Sequence, residues 1–185
     1  DRRAFAAYQP NLPSQWWNYA VLLATTGDRV AYREVCHQMQ ERFQRRGQTT
    51  PEVARTCCLL DGEGVEFAEL ADLVNANLDT RPLDSPTRNG LEWFVLGLAW
   101  FRAGDDARAI ECCERSLEFE PADSGQANHL VLALAHQRAG NGQRARSEFD
   151  LARQFRERQL QWMFNEGLSG WVVHKGASAN WGPGP

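Results

Sequence analysis

Apolar residues recur along the chain at spacings of three and four, broken at glycine-marked points, and no stretch alternates apolar and polar residues as a strand would. Between residues 89 and 121, Trp93, Leu96 and Trp100 fall at i, i+3 and i+7, one face of a helix. Ala103-Gly104-Asp105 closes that helix: glycine supplies a left-handed cap and Asp105 is placed to cap the next one. Ala109, Cys113 and Ser116 form a stripe of small residues on the second helix, and Pro121 stops it. Gly97 lets that second helix approach closely. The unit is a helical hairpin.

The same arrangement repeats. Gly140 lies 36 residues after Gly104, and at that shift His129, Leu132, Ala133 and His136 align with Trp93, Leu96, Gly97 and Trp100. Ala145, Phe149 and Ala152 then take the stripe, Phe149 as the packed aromatic. Gly27 lies 77 residues before Gly104, with Trp16, Tyr19, Ala20 and Leu23 ahead of it and Tyr32, Cys36 and Met39 after. A degenerate hairpin sits between, built from Val53, Ala54, Cys57, Cys58 and Leu60, a turn at Asp61-Gly62-Glu63-Gly64, and Phe67, Leu70, Ala71, Val74 and Leu78. The expectation is an all-α chain of four antiparallel hairpins, at about 13–46, 50–78, 89–120 and 124–159, stacked as a right-handed α-solenoid over residues 1–160. Asp79 to Asn89, with Pro82 and Pro86, is the longest linker. Residues 161–185 form a divergent tail that ends in Gly-Pro-Gly-Pro and is either packed on the array or partly disordered.

The W-x2-L-G-x2-aromatic pattern, followed by Ala, a small residue and Pro, resembles the tetratricopeptide repeat, with Cys113 where an aromatic is usual. The two residues beyond the usual unit length fit in the turn Pro121-Ala122-Asp123-Ser124-Gly125. Trp16-Trp17-Asn18-Tyr19-Ala20, Gly27-Asp28, Ala54-Arg55-Thr56-Cys57, Trp93-Phe94, Trp100-Phe101-Arg102-Ala103-Gly104 and Leu132-Ala133-Leu134-Ala135-His136 further resemble helical-repeat regions of planctomycete-type bacterial proteins. In that group the repeats follow serine/threonine kinase, sigma-factor-like or WD-repeat domains. The resemblance implies a place beside a signalling domain and supplies no catalytic residue.

Composition narrows the picture. A net charge of −4 gives no basic face for nucleic acid. The longest apolar runs, such as Leu130 to Ala135, fall far short of the roughly 20 residues that span a bilayer. No leader opens the chain, and Asp1 in place of Met points to a segment of a longer protein. Five cysteines, including the adjacent pairs Cys57-Cys58 and Cys112-Cys113, make a poor disulfide framework and suit a reducing cytoplasm.

Candidate chemistry is sparse. Vicinal cysteines lack metal-ligand spacing and read as small buried packers. His129 and His136 share a helix face but occupy positions held by Trp93 and Trp100 in the preceding unit, which favours packing over a metal. His37 and His174 have no evident partner in the sequence. Arg153, Arg156 and Arg158 alternate with Glu148, Asp150 and Glu157 as a solvated face. No catalytic, cofactor or metal set emerges, so the expected class is a non-catalytic protein-interaction or scaffold module of a larger bacterial signalling protein. The alternative is an accessory region of a serine/threonine kinase whose catalytic domain lies elsewhere. The expected partner site is the groove lined by the first helices: Trp17, Val21 and Thr25; Leu91, Phe94, Leu98, Phe101 and Arg102; Leu130, Leu134, Gln137 and Arg138. It is too apolar for a carboxylate clamp. Two occupants fit: an amphipathic helix of a protein or peptide partner, or the chain's own tail through Trp162, Met163, Phe164, Leu168 and Trp171.

Overall fold

The computed structural model describes residues 11–43, 51–60, 65–80, 86–119 and 125–177, and every regular element among them is an α-helix. The helices pair as α1 (Pro13–Thr25) with α2 (Arg29–Phe43), α3 (Pro51–Cys57) with α4 (Phe67–Thr80), α5 (Pro86–Ala103) with α6 (Asp106–Glu118), and α7 (Gly125–Arg138) with α8 (Gly142–Ala177).

The three aligned glycines are the hinges of three of these pairs. Gly27, Gly104 and Gly140 have φ of 73°, 86° and 80°, the left-handed region a side chain disfavours. Each sits in the same pair of closing hydrogen bonds. In the third hairpin the Gly104 and Asp105 amides donate to the Phe101 and Trp100 carbonyls at 3.2 and 3.0 Å, a Schellman ending. Asp105 then accepts from the Arg108 amide at 3.0 Å and Asp28 from the Ala31 amide at 3.2 Å, each capping the following helix.

Stacking follows a repeating rule. The first helices touch in succession, α1 to α3 to α5 to α7, while each second helix also packs on the next first helix: α2 on α3, α4 on α5, α6 on α7. That is a tetratricopeptide-like helical solenoid with one continuous core. Trp16, Ala20 and Leu23 of α1 meet Tyr32, Cys36, Met39 and Phe43 of α2 there, with the Trp16 and Phe43 rings edge to face at 6.4 Å. The Tyr32 hydroxyl donates to the Thr56 carbonyl at 2.6 Å and accepts from the Leu60 amide at 3.2 Å, closing the end of α3. Trp100 is buried and Trp93 half-buried against the same core.

Boundaries depart from expectation at three places. The first helix of the second hairpin stops at Cys57, so Leu60 lies beyond it. The linker before the third hairpin is shorter, because α4 runs to Thr80 and α5 begins at Pro86. Helix α8 continues unbroken past 159 to Ala177. The turns at 61–64 and 120–124 fall outside the described residues, as do the side chains of Trp162, Met163, Phe164, Leu168 and Trp171.

Gly97 sets the spacing of α5 and α6. A Cβ there would lie 2.6 Å from Cys113 Sγ and 3.2 Å from both the Ala109 carbonyl oxygen and the Cys113 amide nitrogen. Replacing Gly97 with alanine gains about 1 kcal/mol in helix propensity but forces apart a packed seam, which costs about 1–3 kcal/mol. Gly97→Ala is therefore expected to lower the urea midpoint. Adding Cys113→Ala, which removes the nearest clashing atom, is expected to recover part of the loss; a double variant no better than the single one contradicts this account of the seam.

Candidate interaction site

Helices α5 and α7 each bury two stripes, one toward their own second helix and one toward the preceding hairpin. In α7 the second stripe is Asn128, Val131, Ala135 and Arg138, all buried except the arginine. Asn128 Nδ2 donates to Ser116 Oγ at 2.9 Å, and that hydroxyl donates to the Gly90 carbonyl at 2.6 Å, tying α7 to both helices of the third hairpin. The 36-residue register puts Glu92, Val95, Ala99 and Arg102 at the same positions of α5, where the first three are again buried.

The arginines of this stripe are structural clips. Arg138 donates from Nη2 to the Phe101 carbonyl at 2.8 Å and from Nε to Asp106 Oδ1 at 2.8 Å, with its guanidinium 3.9 Å from the Phe101 ring centroid. Arg102 donates to the Cys58 and Leu59 carbonyls at 3.0 and 3.1 Å. Each adds a donor to carbonyls at the end of the preceding first helix, the Phe101 carbonyl accepting from Arg138 as well as from the Gly104 amide. Sequence reasoning set both arginines at the edge of a partner groove; the structure spends them on the joints between hairpins.

The rest of the expected groove is partly filled from within. Phe94 and Phe101 are buried, which removes them from an open surface, while Leu91 and Leu98 are half-buried. Trp17 lies under the Arg55 guanidinium at 3.8 Å, and Val21 is half-buried. Thr25, Leu130, Leu134, Gln137 and the outer part of Arg138 are exposed. The open apolar positions thus gather at the last hairpin.

There α7 and α8 border a cleft of ≈790 Å³ lined by residues including Ala133, Leu134, Gln137, Ala145, Arg146 and Phe149. Phe149 corrects the alignment. Its counterpart Cys113 is fully buried, yet Phe149 is 54% exposed. The register puts Ala133 where the third hairpin has Gly97, and α6 is covered by α7 whereas no described helix packs on α8 after it; Ala133 and Phe149 both line the cleft. Leu134 is 53% exposed beside it. The cue was present in the sequence as the glycine-to-alanine and cysteine-to-phenylalanine exchange at one shared register.

Other candidate groups are packed into the fold. His129 Nδ1 lies 2.7 Å from Glu148 Oε2 between α7 and α8, and its ring leans on Phe155 with centroids 5.5 Å apart. All five thiols are free and buried. Burial pushes Cys58 and Cys112 up to about 12 and raises Cys113 as well. Cys57 is raised by its hydrogen bond with Cys36, then by burial, while that bond lowers Cys36. Among the described residues no three His, Cys, Asp or Glu side chains gather as a metal site, and no helix is long and apolar enough to cross a membrane. Arg153 pairs with Asp150 and Glu157 at 3.7 and 3.8 Å on an exposed face, where such pairs contribute little.

The tetratricopeptide repeat family model matches residues 90–123, which include most of the third hairpin. Repeats of this family generally mediate protein–protein contacts. No curated protein matches the chain.

Arg138→Lys keeps the charge but loses the flat stacking on Phe101 and the forked donors. A loss of about 1–2 kcal/mol is expected, read as a fall of a few degrees in Tm. Arg153→Lys on the exposed face serves as the comparison and should leave Tm within a degree or so.

Proposed function

We propose that this chain is a protein-interaction segment that receives an amphipathic helix in the cleft between α7 and α8. The observation that carries this is a difference between equivalent positions. The surface of the third hairpin at Cys113 is fully covered, whereas the same register of the fourth hairpin leaves Phe149 and Leu134 half open. An apolar strip on a helix pair already shaped to hold a helix is the helix-in-groove mode of recognition. No catalytic step is assigned to the chain. The finer setting, a cytoplasmic scaffold beside a kinase or other signalling domain in a longer bacterial protein, rests on the sequence resemblance alone, and the full reading frame tests it.

The probe follows from the stack. Residues 125–138 as a stapled, fluorescent peptide reproduce the helix that docks on the third hairpin. Asn128 and Arg138 should be changed to alanine in the peptide, because Ala152 and Gly142 stand where Ser116 and Asp106 anchor them. Anisotropy is expected to show saturable binding. Leu134→Asp or Phe149→Asp in the protein should weaken it at least about tenfold with Tm unchanged, as loss of a central apolar anchor does. Val30→Asp, at an exposed apolar position on another hairpin, should not. Phe94→Asp should unfold the chain, since Phe94 is buried. Absence of binding, or binding indifferent to Leu134 and Phe149, defeats the proposal. Stronger binding after removal of residues 162–185 assigns the cleft to the chain's own tail instead.

A further inference from the structure

Two groups of α2 meet the end of the short helix α3 one turn apart. Tyr32 and Cys36 stand at i and i+4, on one face of α2. The Tyr32 hydroxyl bonds to the Thr56 carbonyl and the Leu60 amide, on either side of the α3 terminus. Cys57 Sγ lies 4.0 Å from the Cys36 carbonyl oxygen, and the Cys36 and Cys57 thiols are hydrogen-bonded to each other. Both thiols are free, Cys36 1% exposed and Cys57 0%. Arg55, two residues earlier, stacks on Trp17 of α1, so the cluster belongs to the joint between the first and second hairpins. Packing explains why each cysteine is small and buried. It gives no reason for two thiols from different hairpins to meet.

We infer that Cys36 and Cys57 are a redox latch, open as two thiols and closed by a peroxide into a disulfide that fastens the first hairpin to the second. The hydrogen bond divides the roles. It lowers the Cys36 thiol and raises Cys57, so Cys36 is the member that reaches the thiolate, the attacking form. Its sulfur attacks one peroxide oxygen, the O–O bond breaks, and the departing hydroxide leaves as water with the proton Cys36 gave up. Cys36 is then a sulfenic acid. The Cys57 sulfur attacks the Cys36 sulfur, the S–O bond breaks, and the hydroxyl leaves as water with the Cys57 proton. Two thiols lose two electrons and one peroxide becomes two waters. The pair starts in contact, with Tyr32 already joining the same two helices, so closure needs little backbone movement. Burial makes the step slow, because peroxide reaches the pair through local opening of the joint. The other thiols are poorer candidates. Cys112 and Cys113 are sequence neighbours, which bridge only with strain, and burial pushes Cys58 up to about 12.

The test oxidises the folded, reduced chain with hydrogen peroxide, blocks remaining thiols with iodoacetamide in denaturant, and maps tryptic peptides by mass spectrometry. One bridge is expected, joining the peptide 34–42 to the peptide that begins at Thr56, with two hydrogens lost and dithiothreitol restoring them. Cys57→Ala should abolish the bridge and Cys58→Ala should keep it. Should Cys57→Ala fail to fold by circular dichroism, fragment ions of the wild-type bridge decide between Cys57 and Cys58. Because the bridge closes a loop across the joint, the oxidised chain should melt about 5 °C or more above the reduced one. A chain that bridges only once urea has unfolded it overturns the inference. So does a bridge through any other cysteine, or Cys36 carried to the sulfinic acid with no bridge formed. A bridged chain that melts below the reduced one overturns it as well, since the link would then strain the joint.

Discussion

A first helix in this fold has two faces to bury, and its own hairpin covers only one. In α5, Leu96 and Trp100 pack within the hairpin, while Val95 and Ala99 on the neighbouring face are dry only where α5 meets the preceding hairpin. Fully burying a side chain of this kind contributes about 1.5–3 kcal/mol, so no hairpin is stable alone and each is completed by the next. This constraint dictates the linear stack.

Polar groups then hold the hairpins in register. Ser116, Gly90 and Asn128 form a buried chain of hydrogen bonds across three helices, and Arg102 and Arg138 close the carbonyl ends of α3 and α5. These anchors act on apolar contacts that would otherwise tolerate sliding. Their spacing equals the repeat itself, two residues before the hinge of each unit for the arginines, so one sequence position repeats one mechanical task.

Much of the architecture was legible in the sequence because it depends on local chemistry. Glycine at 27, 104 and 140 marks a turn that only a left-handed residue completes, and the tryptophans mark faces. The site was less legible. Arg102 and Arg138 look like surface charge until the carbonyls they bind are known, and those belong to helices 37 to 44 residues earlier. Phe94 and Phe101 look groove-facing on a helical wheel, yet neighbouring hairpins cover them. Burial between repeats depends on which hairpin has a neighbour, and a single unit's pattern does not record that.

The last two hairpins differ at one shared pair of positions and in what packs beyond them. In the third hairpin Gly97 gives up its side chain and Cys113 fills the space, a pairing so close that a Cβ would stand 2.6 Å from the sulfur. In the fourth, Ala133 and Phe149 invert the sizes. The third hairpin also has α7 packed over α6, and no described helix packs over α8 in the same way. Phe149 stands half exposed at the cleft. A residue that resembles a restored core position by alignment is, by packing, the most exposed anchor of the cleft.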